Sequence, residues 1–177
     1  MIFGLRFERA ADGALIARLH GEEIDLLRQL AGELTQVLED PSPTDPVTDR
    51  LFPHAYLDPT EEDAEADWQR LVHPDLVTTR MSALSLLVDT LPRDVATGDV
   101  GEAHLDEEQE AAWLGVLNDA RLALGTRLGV SDDDDFDDVA PDDPAYVAWQ
   151  IYAWLTALQG DLVSVLLSGL PGGPVEE

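Results

Sequence analysis

Apolar residues recur along this chain at two periods, and each change of period marks a new element. Near the start the period is two. Phe3, Leu5 and Phe7 alternate with polar or small neighbours, as do Leu15, Ala17 and Leu19, with the turn-forming Ala11-Asp12-Gly13 between them. This predicts a small β-hairpin over residues 3–19. From residue 22 to residue 38 the period becomes helical, and Ile24, Leu27, Ala31, Leu34 and Leu38 form one apolar stripe. Pro41, Pro43 and Pro46 forbid its continuation, and a short helical turn is expected over residues 47–52.

Thr60 precedes Glu61-Glu62-Asp63, a predicted N-cap with acids at the positive end of the helix dipole. That helix is expected to reach residue 72 and to bury Ala64, Trp68 and Leu71. His73-Pro74 should then reset the chain, and a separate helix should run to residue 91 on Val77, Met81, Leu84, Val88 and Leu91. Residues 92–104, with Pro92, Gly98 and Gly101, read as a link. Asp106 and Gln109 have the spacing of a capping box. The helix they open is expected to end at Gly129, with Trp113, Leu117, Ala120, Leu124 and Leu128 as its core stripe.

Asp143-Pro144 opens the last helix, which extends to about residue 167 and is apolar nearly all round. Such a helix belongs at the centre of a bundle. The expected fold is therefore mainly α. It is a single-domain bundle of about five main helices around a central apolar C-terminal helix, with the small β-hairpin at its N-terminus. The domain is expected over residues 1–170, with an acidic loop at 131–143 and a loose tail at 171–177.

Charge changes the picture more than length does. The chain has 177 residues, all 10 of its basic residues are arginine, and 37 acids bring the net charge to −27. Nucleic-acid affinity rests largely on neutralising phosphates with Lys and Arg, so direct binding to a duplex is disfavoured. The remaining route to DNA would be Arg6, Arg9 and Arg18 on the hairpin. The sign of the charge favours encounters with a basic protein surface. There is no cysteine, hence no disulfide, thiolate metal site or cysteine nucleophile. Residues 1–6 lack the apolar run of a signal peptide. The apolar stretch over 145–170 is interrupted by Gln150, Gln159, Asp161 and Ser164, which suits a core helix better than a membrane span. A cytoplasmic location is expected.

Catalytic motifs are missing. No Gly-rich phosphate loop, GxSxG or HExxH occurs, and His20, His54, His73 and His104 do not fall at helical ligand spacing. The acidic run Asp132, Asp133, Asp134, Asp135, Phe136, Asp137 and Asp138 fails the register of an EF-hand, whose sixth position must be glycine. No catalytic, cofactor-binding or metal-binding residue is therefore assigned, and no cofactor is expected. The candidate partner-binding residues are that run together with Asn118, Arg121 and Arg127. A largely small-residue stripe, Ala111, Gly115, Asn118, Leu122 and Gly125, implies either close approach of another helix or a shallow groove, because interior glycine costs about 1 kcal/mol relative to alanine. The alternative to a binding protein is an enzyme of unknown class with a site around Asn118 and Arg121.

Two segments carry a family resemblance. Arg50-Leu51-Phe52-Pro53-His54-Ala55-Tyr56 is similar to an RLFP-x-AY signature. Residues 113–129, WLGVLNDARLALGTRLG, are similar to a WL-x2-LND-x-RL-x-LGTRLG signature followed by acids. In this order they resemble an actinobacterial family defined only as a domain of unknown function, which includes the oxidative-stress transcription regulator AosR. Asn118, Arg121, Gly125, Thr126 and Arg127 match its motif. The resemblance implies a helical, non-enzymatic cytoplasmic protein that regulates transcription through protein contacts, with a sigma factor or RNA polymerase as the kind of partner. A thiol-based oxidant sensor would need cysteine, which this chain lacks.

Overall fold

The computed structural model describes residues 6–42, 44–56, 58–131 and 139–168. The expected strand positions Phe3 and Leu5, the acidic run at 132–138 and the tail lie outside these residues. Strands β1 (Phe7–Arg9) and β2 (Leu15–His20) form the expected hairpin. Helix α1 (Gly21–Glu39) follows directly and buries the five stripe residues Ile24, Leu27, Ala31, Leu34 and Leu38. The Glu23 carboxylate closes its first turn by accepting from the His20 backbone N–H at 3.0 Å. Helix α2 (Pro46–Leu51) starts at Asp45, whose side chain accepts from the Val47 N–H at 2.9 Å.

Helix α3 (Glu62–Thr90) differs from expectation in three ways. It is one continuous helix with Pro74 inside it, where a break was expected. Proline removes a single backbone bond, to the carbonyl four residues earlier; Arg70 and Pro74 are both exposed, so water can satisfy that carbonyl. Its start is prepared by Asp58, not Thr60: the Asp58 carboxylate accepts from the Thr60 N–H at 2.9 Å and caps a 3-10 turn at Pro59–Glu61. Its buried residues are Leu84 and Leu87, while Leu71 is 62% exposed and Val88 turns outward.

The expected link after α3 contains a strand, β3 (Val100–Leu105), which pairs antiparallel with β2 and completes a three-stranded sheet in the order β1-β2-β3. Gly101, Ala103 and Leu105 face inward and their neighbours outward. Gly101 is required there, since a Cβ would sit 2.7 Å from both Pro92 Cβ and Val95 Cγ2. Helix α4 (Glu107–Leu128) has the expected capping box, with the Asp106 carboxylate accepting from the Gln109 N–H and the Gln109 side chain accepting from the Asp106 N–H. Gly129, at φ +70°, closes its C-terminus. Helix α5 (Tyr146–Ser168) is the apolar C-terminal helix.

The mainly helical bundle with its hairpin and apolar last helix is the one the periodicity predicts, but its centre is α4. That helix packs against α1, α2, α3, α5 and β3. Its buried residues Ala112, Trp113, Val116, Leu117, Ala120, Ala123 and Gly125 are mostly small and cover a broad arc, so neighbours can approach from several sides. Helix α5 packs chiefly on α4 and β1 and buries Leu155, Leu158 and Leu162. Its Val147 and Leu167 are 67% and 56% exposed. By length and composition alone this helix could cross a membrane. Trp113 anchors the core: it is fully buried, meets the Phe7 ring edge-on at 6.2 Å and donates its indole N–H to Thr90 Oγ1 at 2.8 Å.

Two glycines separate packing from propensity. A Cβ on Gly21 would lie 2.4 Å from the Ala96 carbonyl oxygen, whereas one on Gly115 meets nothing within 4 Å. Gly21→Ala is expected to destabilise the protein by about 1–3 kcal/mol. Gly115→Ala should stabilise it by up to about 1 kcal/mol. Urea unfolding of the two variants beside the wild type checks both signs.

Candidate functional site

The first motif segment is held in place by α3. Leu51 and Phe52 are buried. The Phe52 ring lies 4.4 Å from the His73 ring, centroid to centroid, and carries the Arg80 guanidinium 4.9 Å from its own centroid. Beyond it, the Glu65 carboxylate accepts from the Ala55 and Tyr56 backbone N–H groups at 3.0 and 2.9 Å, and also from Gln69 at 2.6 Å. His54 Nδ1 lies 2.9 Å from the same carboxylate. These hydrogen bonds, the one from Gln69 foremost, hold the Glu65 carboxyl below its ordinary pKa.

The second motif joins the first through Arg80, whose Nε donates to Asp119 Oδ2 at 2.9 Å. Burial raises the pKa of Asp119, against the opposing pull of Arg80. Enzymes hold acids in such environments, yet this carboxylate is engaged by the guanidinium that also covers Phe52. The pair ties α4 to α3.

The candidate residues fall in different places. Asn118 faces α5, where its side-chain oxygen lies 3.4 Å from Gln159 Nε2. Arg127 reaches towards α1 and lies 3.5 Å from Glu33, beside a small apolar groove that includes Leu30, Leu34 and Leu124. Arg121 lines a separate open cleft with Arg50, Gly125, Thr126, Ser131 and Tyr152. The structure therefore does not bring Asn118, Arg121 and Arg127 into one site, and the acidic run lies outside the described residues. The small-residue stripe divides as well. Gly125 admits Tyr152, since a Cβ there would lie 2.9 Å from Tyr152 Cε2, while Gly115 is exposed.

Arg50 and Tyr152 were not singled out from sequence. Arg50 lay within the first motif, but nothing in the pattern showed that the two motifs share a cleft. Conversely, the hairpin arginines are committed to carboxylates. Arg6 meets Glu23 at 2.7 Å, and Arg18 meets Glu8 and Glu102, each at 2.7 Å. Arg9 forms a two-pronged pair with the buried Glu110, one of whose contacts is 3.1 Å. This pairing leaves little positive charge on the sheet for phosphate contacts. Among the described residues, no group of three or more His, Cys, Asp or Glu could hold a metal ion.

A family model described as "Domain of unknown function (DUF2017)" matches residues 5–166. The chain is 35% identical over 142 residues to the putative oxidative stress regulator AosR of Mycobacterium leprae (strain TN), covering 71% of this chain and 60% of that protein. It is 30% identical over 177 residues to the oxidative stress regulator AosR of Mycobacterium tuberculosis (strain ATCC 25618 / H37Rv), covering 82% of this chain and 78% of that protein. The oxidative stress regulator AosR of Mycobacterium bovis (strain ATCC BAA-935 / AF2122/97) matches with the same figures. The chain thus spans 60% of the M. leprae relative's length. No solved structure matches it.

Glu65 gives the arrangement a pH signature. Its folded pKa lies below that of a free glutamate, about 4.3, so its stabilising effect is complete above that value. The effect is lost as pH falls through the lowered folded value. Glu65→Gln is expected to reduce the urea midpoint at pH 7, and the gap to wild type should start to narrow below about 4.3 and close as pH falls through the lowered folded value. A gap that stays constant across this range contradicts the assignment.

Proposed function

Because this chain belongs to the DUF2017 family, and because its curated relatives are described as oxidative stress regulators, we propose that it regulates transcription under stress by binding another protein. A non-enzymatic regulatory role is what the relatives support in general terms. The finer reading is that the partner presents a basic surface, and that a sigma factor or RNA polymerase is the class to which it belongs. The setting would be the cytoplasm, and the whole is taken to act as one domain over residues 1–170.

The observation that carries this reading is the likeness to curated relatives described as oxidative stress regulators, and α5 offers apolar contacts to a partner. The helix buries Leu155, Leu158 and Leu162 and packs Ile151, Trp154, Val165 and Leu166 against the core, but it leaves Val147 in its first turn and Leu167 in its last among the most exposed large hydrophobic residues. Of these two, Val147 is proposed as an apolar contact for the partner. The whole chain carries a net charge of −27, which suits a partner whose apolar contacts are rimmed with Lys and Arg. Asn118, Arg121 and Arg127 are proposed as contributors from separate places along α4, and the acids at 132–138 as contributors of charge. Neutralised hairpin arginines weigh against direct DNA binding, and the engaged Asp119 gives the enzymatic alternative no free acid there.

The test is a quantitative pull-down of the full chain from an actinobacterial lysate, with an unrelated acidic protein of equal charge as control. Enrichment of a sigma factor or polymerase subunit over the control is expected. With the captured partner purified, Val147→Asp should weaken binding at least tenfold while the fold survives, because exposed substitutions usually change stability by less than about 0.5 kcal/mol. Neutralising residues 132–138 should reduce the salt dependence of the binding. Recovery of only those proteins that the control also captures would overturn the reading.

A further inference from the structure

Arginine is scarce in this chain, and most of it is spoken for. Among the described residues Arg6, Arg9, Arg18, Arg28, Arg70, Arg80 and Arg127 each have a carboxylate within 3.5 Å. Arg50, Arg93 and Arg121 have none, although 37 acids are available to 10 arginines, and of these three only Arg50 and Arg121 share a cleft. These two come from different elements, the last turn of α2 and the middle of α4, and line the same open cleft. Two guanidinium groups lining one cleft repel each other, and a bound anion would relieve that repulsion. The lining adds the hydroxyl-bearing Thr126, Ser131 and Tyr152. Tyr152 is brought close because Gly125 has no side chain to hold it off.

We propose that this cleft is a phosphate-binding site, with Arg50 and Arg121 as its two binding residues. Three features favour phosphate over a carboxylate. A phosphate monoester carries about −1.5 to −2 charges near neutral pH, which two guanidinium groups balance and one carboxylate does not. Its three free oxygens can accept from two forks approaching on different sides, where a carboxylate is satisfied by one fork. The chain's own carboxylates, present in large excess, leave both arginines unclaimed among the described residues. Arg121 is also among the residues proposed for the protein partner, but the phosphate ligand and the contribution of Arg50 belong to this site alone.

The experiment is thermal unfolding of the full chain titrated with inorganic phosphate at constant ionic strength, sodium chloride making up the balance. A parallel arm uses O-phosphoserine and a third uses acetate. Phosphate is expected to raise Tm saturably, and Arg50→Gln and Arg121→Gln should each weaken that response at least tenfold. Arg93→Gln, which removes the same charge outside the cleft, should leave it unchanged. A response to O-phosphoserine at least as strong as that to phosphate assigns the group to an esterified ligand; a response to phosphate alone assigns it to the free ion. Arg50 is exposed, so its variant reads the site even where Arg121→Gln fails to fold. No saturable rise, an equal rise with acetate, or an Arg50→Gln response matching that of Arg93→Gln would overturn the proposal.

Discussion

The fold depends on one helix being approached from several sides at once. Helix α4 packs against every other helix of the bundle and against β3. Packing of that kind requires a backbone that neighbours can reach, and the buried Ala112, Ala120, Ala123 and Gly125 supply it. Between these small residues stand Trp113 and Leu117, both fully buried, which fill the space the small residues leave open. Where α4 reaches its C-terminal turns, Gly125 lets Tyr152 of α5 come close, and the cleft holding Arg50 and Arg121 lies beside that contact. The candidate phosphate site is thus a consequence of how the central helix is packed.

Arginine pairing supplies the long-range ties in a chain with a large acid excess. Arg9 joins β1 to the first turn of α4 through Glu110, and Arg18 bridges β2 to β3 through Glu102. Arg80 joins α3 to α4 through Asp119 while covering Phe52. Glu23 reverses the roles: it accepts from Trp154 of α5 at 2.9 Å, meets Arg6 at 2.7 Å, and closes the first turn of α1. Several of these residues are partly buried, where ion pairs are less screened than on the open surface. The family motifs make sense in these terms. Most of their residues hold α2, α3 and α4 together, and a minority reach the cleft.

Much of the fold could be read from periodicity because burial and period agree there. The α1 stripe and the Asp106–Gln109 box are examples. Strand β3 escaped notice because its inward residues are Gly101, Ala103 and Leu105, and only the last contrasts clearly with its neighbours. Helix α3 looked broken because proline usually ends a helix, and the rule gives way where the orphaned carbonyl can meet water. The centre of the bundle was assigned to α5 on hydrophobicity, whereas small size, which lets neighbours in, is what places α4 there. The cleft was the least legible feature. Arg50 and Arg121 are far apart in sequence, and no local pattern reveals that two arginines share a space or lack a carboxylate.

The central claim, that α4 organises the fold, predicts an order of local stability. Native-state hydrogen exchange resolves that order residue by residue, since amides in the most firmly held element exchange only through global unfolding. The account predicts that the slowest amides lie in the middle of α4, around Trp113 to Ala123, and that those of α5 open at lower free energy because one side of that helix is uncovered. Protection in α5 equal to or greater than that in α4 would contradict it.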